Sequence, residues 1–411
     1  MLMTLPKNVK LRLLMLFIQN ASVNAVFPFM ALLLTHYLGG KKAGMMLIIG
    51  ILLKFSGSII GGYLSDHLPL KKNVIACLTL MSAFLFLGMG AVLAQLEGVQ
   101  SFQLLFVVFL ACYLLNELLT ALAKPMYNAL ALDSIDETHR QRYARFKYWI
   151  SNTSTALGML MGGLFYGSFK VSLFVLIYIC LTVNVLILYF GVQETRRTIS
   201  HPSARRFVAI FQRYQVAYRN RPFVLLLISS MLILSAEMSL SSYVAVRLEH
   251  QFKTIQLYDF PIDGVRMFSI LLLINTITII SLSFAILHYF KRFKVATILN
   301  IGFLFFAGGY TVVMSNNHAL VLVIFMLMAT IGEILFTPTV EAEKIRFIPA
   351  DTRGAHSALD SWVPIGAELI SRLFLIIGTV LTPLMMSGLV LATVITGFLL
   401  LLSTVKRYEA V

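Results

Sequence analysis

The chain has 411 residues, of which 59% are hydrophobic and 12% charged, and it carries a formal net charge of +15. Soluble chains carry about 25% charged residues, and half that share cannot solvate so much apolar surface. The figures exclude a disordered chain, a coiled coil and a disulfide scaffold, and point to an all-α integral membrane protein. Cys77, Cys112 and Cys180 all lie in apolar runs and read as small core residues.

A membrane helix needs about 20 mostly apolar residues. Twelve such runs are predicted, at 13–38, 44–64, 73–95, 102–124, 147–168, 172–192, 223–246, 266–288, 296–315, 319–342, 357–380 and 384–404. The first is too long for a cleavable signal and holds Asn20, Asn24 and Pro28, so it is read as a span. The longest polar segment, 193–222, contains Glu194-Thr195-Arg196-Arg197 and divides the chain into an N-terminal half, 1–192, and a C-terminal half, 223–411. Its stretch from Phe207 to Tyr218 is basic and amphipathic, and reads equally as a surface-lying helix or a solvated linker.

With the N-terminus placed in the cytoplasm, most of the 33 basic residues fall in cytoplasmic segments, clustered at 140–147 and 196–221. The outer loops and their margins hold Lys41, Lys42, Lys170, Arg247, Lys253 and Arg266. This bias predicts both termini cytoplasmic in a cell (inner or plasma) membrane. The basic surplus then orients the chain and touches anionic lipid headgroups. No domain is large enough to carry a nucleic-acid-reading face.

The halves resemble one another. Trp149 and Trp362, Pro125 and Pro338, and Arg140 and Arg353 share one sequence offset. Two parallel six-span repeats with a central cavity are the architecture of the major facilitator superfamily. The loop after span two, Gly62-Tyr63-Leu64-Ser65-Asp66-His67-Leu68-Pro69-Leu70-Lys71-Lys72, resembles that family's G-x-L-x-D-R-x-G-R-[KR] pattern at Gly62, Leu64, Asp66 and Lys71. His67, Pro69 and Leu70 depart from it, which implies a weaker or differently built cytoplasmic latch.

A closer resemblance is to the LmrP-like multidrug/proton antiporters. It is carried by Gly332-Glu333-Ile334-Leu335-Phe336-Thr337-Pro338-Thr339-Val340, by Tyr148-Trp149 with Asn152, and by Gln251-Phe252-Lys253-Thr254-Ile255 followed by Arg266-Met267. It implies proton-coupled efflux of amphipathic compounds, with Glu333 in the substrate site and Asp133 and Asp66 in proton movement. Two positions depart: Lys147 and Ser241 stand where the resembled transporters have aspartates. Those losses keep open a lipid or lysolipid flippase or a peptide exporter. The glycines of span five, Gly158, Gly162, Gly163 and Gly167, resemble an antiporter motif, but their spacing equally suits close helix packing, the preferred reading.

Charges inside a bilayer are expensive and mark functional positions or structural pairs. Glu333, mid-span ten, is the first candidate for binding substrate and carrying a proton, because a carboxylate withdrawn from water takes up a proton more readily. Glu117 in span four is its near-symmetric counterpart, and Glu237 lies mid-span seven. Glu368 and Arg372 are one turn apart and can pair. Lys54 lies at a similar depth, so a Lys54–Glu368–Arg372 gating cluster is expected. Lys147 is the repeat partner of Asp360, and an opposite-charge pair between them is expected on the cytoplasmic side.

No phosphate-binding loop, zinc spacing or nucleophile elbow is present. The expected protein is therefore not an enzyme and needs no cofactor or metal. It is a monomer driven by a proton gradient, with sodium the alternative. Its partners are amphipathic small molecules or lipids.

Overall fold

The computed structural model describes residues 7–68, 71–96, 103–132, 137–167, 169–193, 218–257, 260–290, 292–347, 356 and 359–409. The described chain is almost entirely helical. The helices are α1 (Lys7–Asn24), α2 (Met30–His67), α3 (Lys72–Leu96), α4 (Gln103–Leu132), α5 (Glu137–Phe165) and α6 (Lys170–Leu186). They continue with α7 (Arg221–Met238), α8 (Tyr243–Gln251), α9 (Gly264–Phe290), α10 (Val295–Val313), α11 (Ala319–Arg346), α12 (Val363–Ile377) and α13 (Pro383–Glu409). Nine stretches among the described residues are long and apolar enough to cross a membrane. One of them, Lys7–Ser65, holds the first two spans. The polar start of α5 and the shortness of α12 keep those two helices out of that set, and with them the twelve-helix membrane fold is complete.

Three interruptions differ from the expected spans. The first span breaks at a 3-10 turn, Phe27–Phe29, because Pro28 cannot donate to the helical ladder. The loop expected between spans one and two shrinks to a single residue: Gly39, at φ 74° and ψ 158°, leaves helical geometry and sets a kink between the two helical stretches of α2. Span seven is divided into α7 and α8 by the turn Ser239–Ser241. A short antiparallel hairpin, β1 (Ile255–Leu257) and β2 (Phe260–Ile262), was not expected at all. Asp263 Oδ1 accepts from the Arg266 backbone N–H and caps α9 just beyond that hairpin.

The chain forms two compact units. The first comprises Met1–Met30 and Met46–Pro202, the second Ala31–Met45 and Ser203–Val411. Thus α2 gives its first part to the second unit and the remainder to the first. The segment 194–217, which contains most of the basic linker, lies outside the described residues.

In the first unit, α1 packs on α5. Asn20 donates to Ser151 Oγ and Asn24 to Thr155 Oγ1, so the polar residues of span one are spent on this contact. A Cβ on Gly158 would strike the Ala21 carbonyl, and one on Gly162 the Phe29 ring and the Ala25 carbonyl. These two glycines of the span-five motif therefore serve close packing. In the second unit the closest pair is α10 and α11. Gly332 of α11 faces the Phe306 backbone nitrogen and the Gly302 carbonyl of α10, with no room for a Cβ.

Replacing Gly332 by Val should therefore overpack this crossing, at a cost of roughly 1–3 kcal/mol. The purified variant is expected to melt below the wild-type protein. Gly388→Ala, where nothing lies within 4 Å of the added carbon, should melt at or slightly above it.

Candidate functional site

The second unit concentrates polar groups deep among apolar helices. Glu333 comes from α11, and its Oε2 accepts a 2.8 Å hydrogen bond from Asn275 Nδ2 of α9. Thr330, one turn before Glu333, stands 3.3 Å from the same amide nitrogen. Glu237 of α7 is close enough to Glu333 for their charges to repel. Tyr310 of α10 is fully buried and lies within the electrostatic reach of both carboxylates. Its hydroxyl has no hydrogen-bond partner among the described residues. Both glutamates remain partly accessible. No Lys or Arg among the described residues pairs with either of them. Four helices thus bring two carboxylates, an amide, a hydroxyl and a phenol to one place.

Such a set can hold a proton, shared between two carboxylates that resist ionising together. It can also hold a hard monovalent cation, which prefers oxygen ligands. No group of three His, Cys, Asp or Glu side chains that could hold a metal ion is found among the described residues.

The first unit treats its carboxylate differently. Glu117 on α4 is 2% exposed at its side chain, and its Oε2 lies 3.0 Å from Lys54 Nζ on α2. Gly57 and Gly61, further along α2, allow the close approach of α4: a Cβ on either would strike the Leu118 or the Leu122 carbonyl. Beside Glu117, Ser82 donates to Asn116 Oδ1 at 2.5 Å. Glu117 is therefore neutralised inside its own unit.

The expected gating pairs resolve in the same way. Lys54 was expected to join Glu368 and Arg372; within its own unit it pairs with Glu117. Glu368 and Arg372 do pair with each other, at 3.1 Å along α12. Arg372 also donates to the Ser241 carbonyl, so it braces the turn that breaks span seven. Asp360 was expected to face Lys147. It accepts instead from Lys344 at 2.8 Å, and Lys344 also pairs with Glu341. Lys147 is half-buried on α5. Asp133 and the side chain of Asp66 lie outside what is described.

Arg247 also corrects the charge reading, which counted it as a loop-margin cation. It is 3% exposed. Its guanidinium donates to the Val313 and Asn316 carbonyls and to Asn317 Oδ1, capping the carboxyl end of α10. Asn275, Thr330 and Tyr310 were missed by the sequence analysis. Two had a signal: an amide in the middle of span eight and a hydroxyl one turn before Glu333; Tyr310, in the last turn of α10, reads from sequence as an interface residue.

A family model described as the Major Facilitator Superfamily matches residues 12–367. The chain belongs to the major facilitator superfamily. It is 24% identical over 369 residues to a Na+, Li+, K+/H+ antiporter of Planococcus maritimus, covering 86% of this chain and 85% of that protein. It is 23% identical over 312 residues to YqjV of Bacillus subtilis (strain 168), an uncharacterized MFS-type transporter, covering 75% of this chain and 71% of that one. Among solved structures it is similar in fold to a POT family transporter in complex with a thioalcohol-conjugated peptide. The TM-score is 0.72 at 12% identity, covering 98% of this chain and 97% of that one. It is equally similar to the peptide transporter POT in complex with sulfate, with TM-score 0.72 at 15% identity, covering 98% and 95%. This superfamily protein is thus a multi-pass membrane transporter.

Removing one partner of a buried ion pair leaves the other charge stranded, whereas removing both is far milder. Lys54→Met alone should lower the melting temperature of the purified transporter. Lys54→Met combined with Glu117→Gln should recover a large part of the loss. Equal melting of the single and double variants would separate the two side chains energetically.

Proposed function

We propose that this transporter is a proton-coupled cation antiporter in which Glu237 and Glu333 take up, in alternation, a proton and a cation. The observation that carries this reading is the pair of carboxylates in the second unit that no Lys or Arg among the described residues neutralises. A cation arriving there gains two negative charges without first displacing a lysine or arginine. A proton arriving instead relieves the repulsion between the carboxylates and releases the cation. Asn275 orients Glu333 for either occupant, and Tyr310 and Thr330 supply further oxygens. The Planococcus relative, named for exchanging Na+, Li+ and K+ against H+, supports an alkali-metal cation as cargo.

A second reading is efflux of amphipathic organic cations. It rests on the multidrug-like stretch around Glu333, Gly332 to Val340, and on the fact that a carboxylate pair attracts any cation. In both readings the two six-helix halves, 1–192 and 223–411, expose the site alternately to the two sides of a cell membrane. Both termini lie in the cytoplasm and the transporter works as a monomer. Asp133 and Asp66 would serve proton passage.

The test uses proteoliposomes with an imposed pH gradient and a fluorescent pH reporter. Addition of Na+, Li+ or K+ to the wild-type protein should dissipate the gradient, while choline should not. An amphipathic dye cation that dissipates it when alkali ions do not would select the second reading. Glu333→Gln should reduce the exchange at least about tenfold, and Glu237→Gln should do the same or shift its pH optimum, since the remaining carboxylate titrates alone. Undiminished exchange in Glu333→Gln would remove the carboxylate pair from the mechanism.

A further inference from the structure

One side chain of the carboxylate cluster has two ends that can be assigned separately. Asn275 reaches from α9 to α11, where its Nδ2 donates to Glu333 Oε2 at 2.8 Å and to Thr330 Oγ1 at 3.3 Å. The Thr330 hydroxyl gives its own proton to the Met326 carbonyl, at 2.8 Å. Thr330 Oγ1 therefore meets Asn275 as an acceptor. Both amide protons of Asn275 are thus used, one on a carboxylate oxygen and one on a hydroxyl oxygen. Turning the amide over would set Oδ1 against two acceptors, so the neighbours fix its orientation.

That orientation leaves Oδ1 unused. The two bonds that Nδ2 donates are the only hydrogen bonds of Asn275 among the described residues. Nor is Oδ1 sealed in, as the Tyr310 hydroxyl is: Asn275 is only half-buried, and its oxygen keeps open surface. The same holds for Glu333 Oε1, which accepts from no described residue and is not enclosed. A single hydrogen bond therefore holds together two side chains that each present one free oxygen, one neutral and one charged.

Hard cations are bound by oxygen, and the carbonyl of an asparagine is one of their ordinary ligands. A cation on Oδ1 draws electrons from the amide and strengthens the bond that Nδ2 makes to Glu333. A proton acts in the opposite sense. It goes to Oε1, because Oε2 already accepts, and it removes the charge that makes the Asn275 bond strong. One amide thus registers both occupants, and each weakens the hold of the other.

We propose that Asn275 is a specificity-determining residue of this site, with its Oδ1 a direct ligand of the transported cation beside Glu333 Oε1. The inference rests on the cation–proton reading given above. It adds to that reading a neutral ligand and the contact through which the proton displaces the cation.

The experiment measures exchange in proteoliposomes at graded Li+, Na+ and K+ and at several pH values. Asn275→Leu, of similar size, removes both ends of the amide. The half-saturating cation concentration should rise about tenfold, and the order of preference among the three ions should change. Asn275→Asp keeps the oxygen but replaces the donor by a third carboxylate. Three carboxylates repel one another and shed their protons only in a more alkaline medium, so the pH optimum should move to the alkaline side. None of these readouts depends on how much of a variant folds. Half-saturation and ion order unchanged in Asn275→Leu, with exchange lost in Glu333→Gln, would overturn the inference and leave the cation reading standing. So would a pH optimum in Asn275→Asp equal to that of the wild type. No alkali-ion exchange by the wild-type protein would instead remove the cation reading, and this inference with it.

Discussion

Hydrocarbon offers no hydrogen-bond partner, so every polar group carried into the bilayer must find one within the protein. That constraint explains why the chain is built from helices. It also explains the fate of each ionisable side chain it carries inward. Lys54 is matched by Glu117, Glu368 by Arg372, and Arg247 by the carbonyls at the end of α10. The polar residues of span one are matched by the hydroxyls of α5. Only where these matches are incomplete does the structure leave chemistry to be done.

This gives the two units different characters. The first unit closes its account internally: its buried glutamate is bound to a lysine of the same unit. The second keeps two glutamates whose only described polar partner is an amide. The sequence repeat places Glu117 one turn from the counterpart of Glu333, yet the surroundings divide their roles. A carboxylate held by a lysine is a fixed structural element, because an incoming cation has to displace a tethered one. A carboxylate beside another carboxylate is a place where protons and cations compete. The repeat has kept the scaffold and separated the electrostatics.

Much of the fold was legible in the sequence, because long apolar runs, basic loop clusters and repeated Pro and Trp positions are local signals. The interruptions were less so. Gly39 turns the chain within an apparently continuous helix, where a loop was expected because polar and glycine residues cluster at 39–43. The site was half legible. Glu333 and Glu237 stood out because charges are rare in apolar runs. Their neighbours Asn275 and Tyr310 did not, because a single amide or phenol in a span commonly serves packing. Partner choice was the least legible property. Lys54 lies at a depth shared by several acidic side chains, and depth along a helix does not say which face meets which. Gly57 and Gly61 bring α4 against α2, and with it Glu117 to Lys54. Arg247 was misread for a related reason: loop counting assigns a charge to a side of the membrane but not to a helix end that needs capping.

The break at Gly39 has a mechanical consequence. Connections between membrane helices usually contain slack, so one helix can shift while the next stays in place. Here the first and second spans are joined by one residue in a left-handed conformation, with helix on either side. No atom lies within 4 Å of where its side chain would stand, while a Cβ on the next residue, Gly40, would strike Thr379, so the free torsions of the joint belong to Gly39 alone. Movement of the outer end of either span reaches the other as rotation about this single residue. The pair behaves as a crank, and the stiffness of one glycine sets how faithfully it turns.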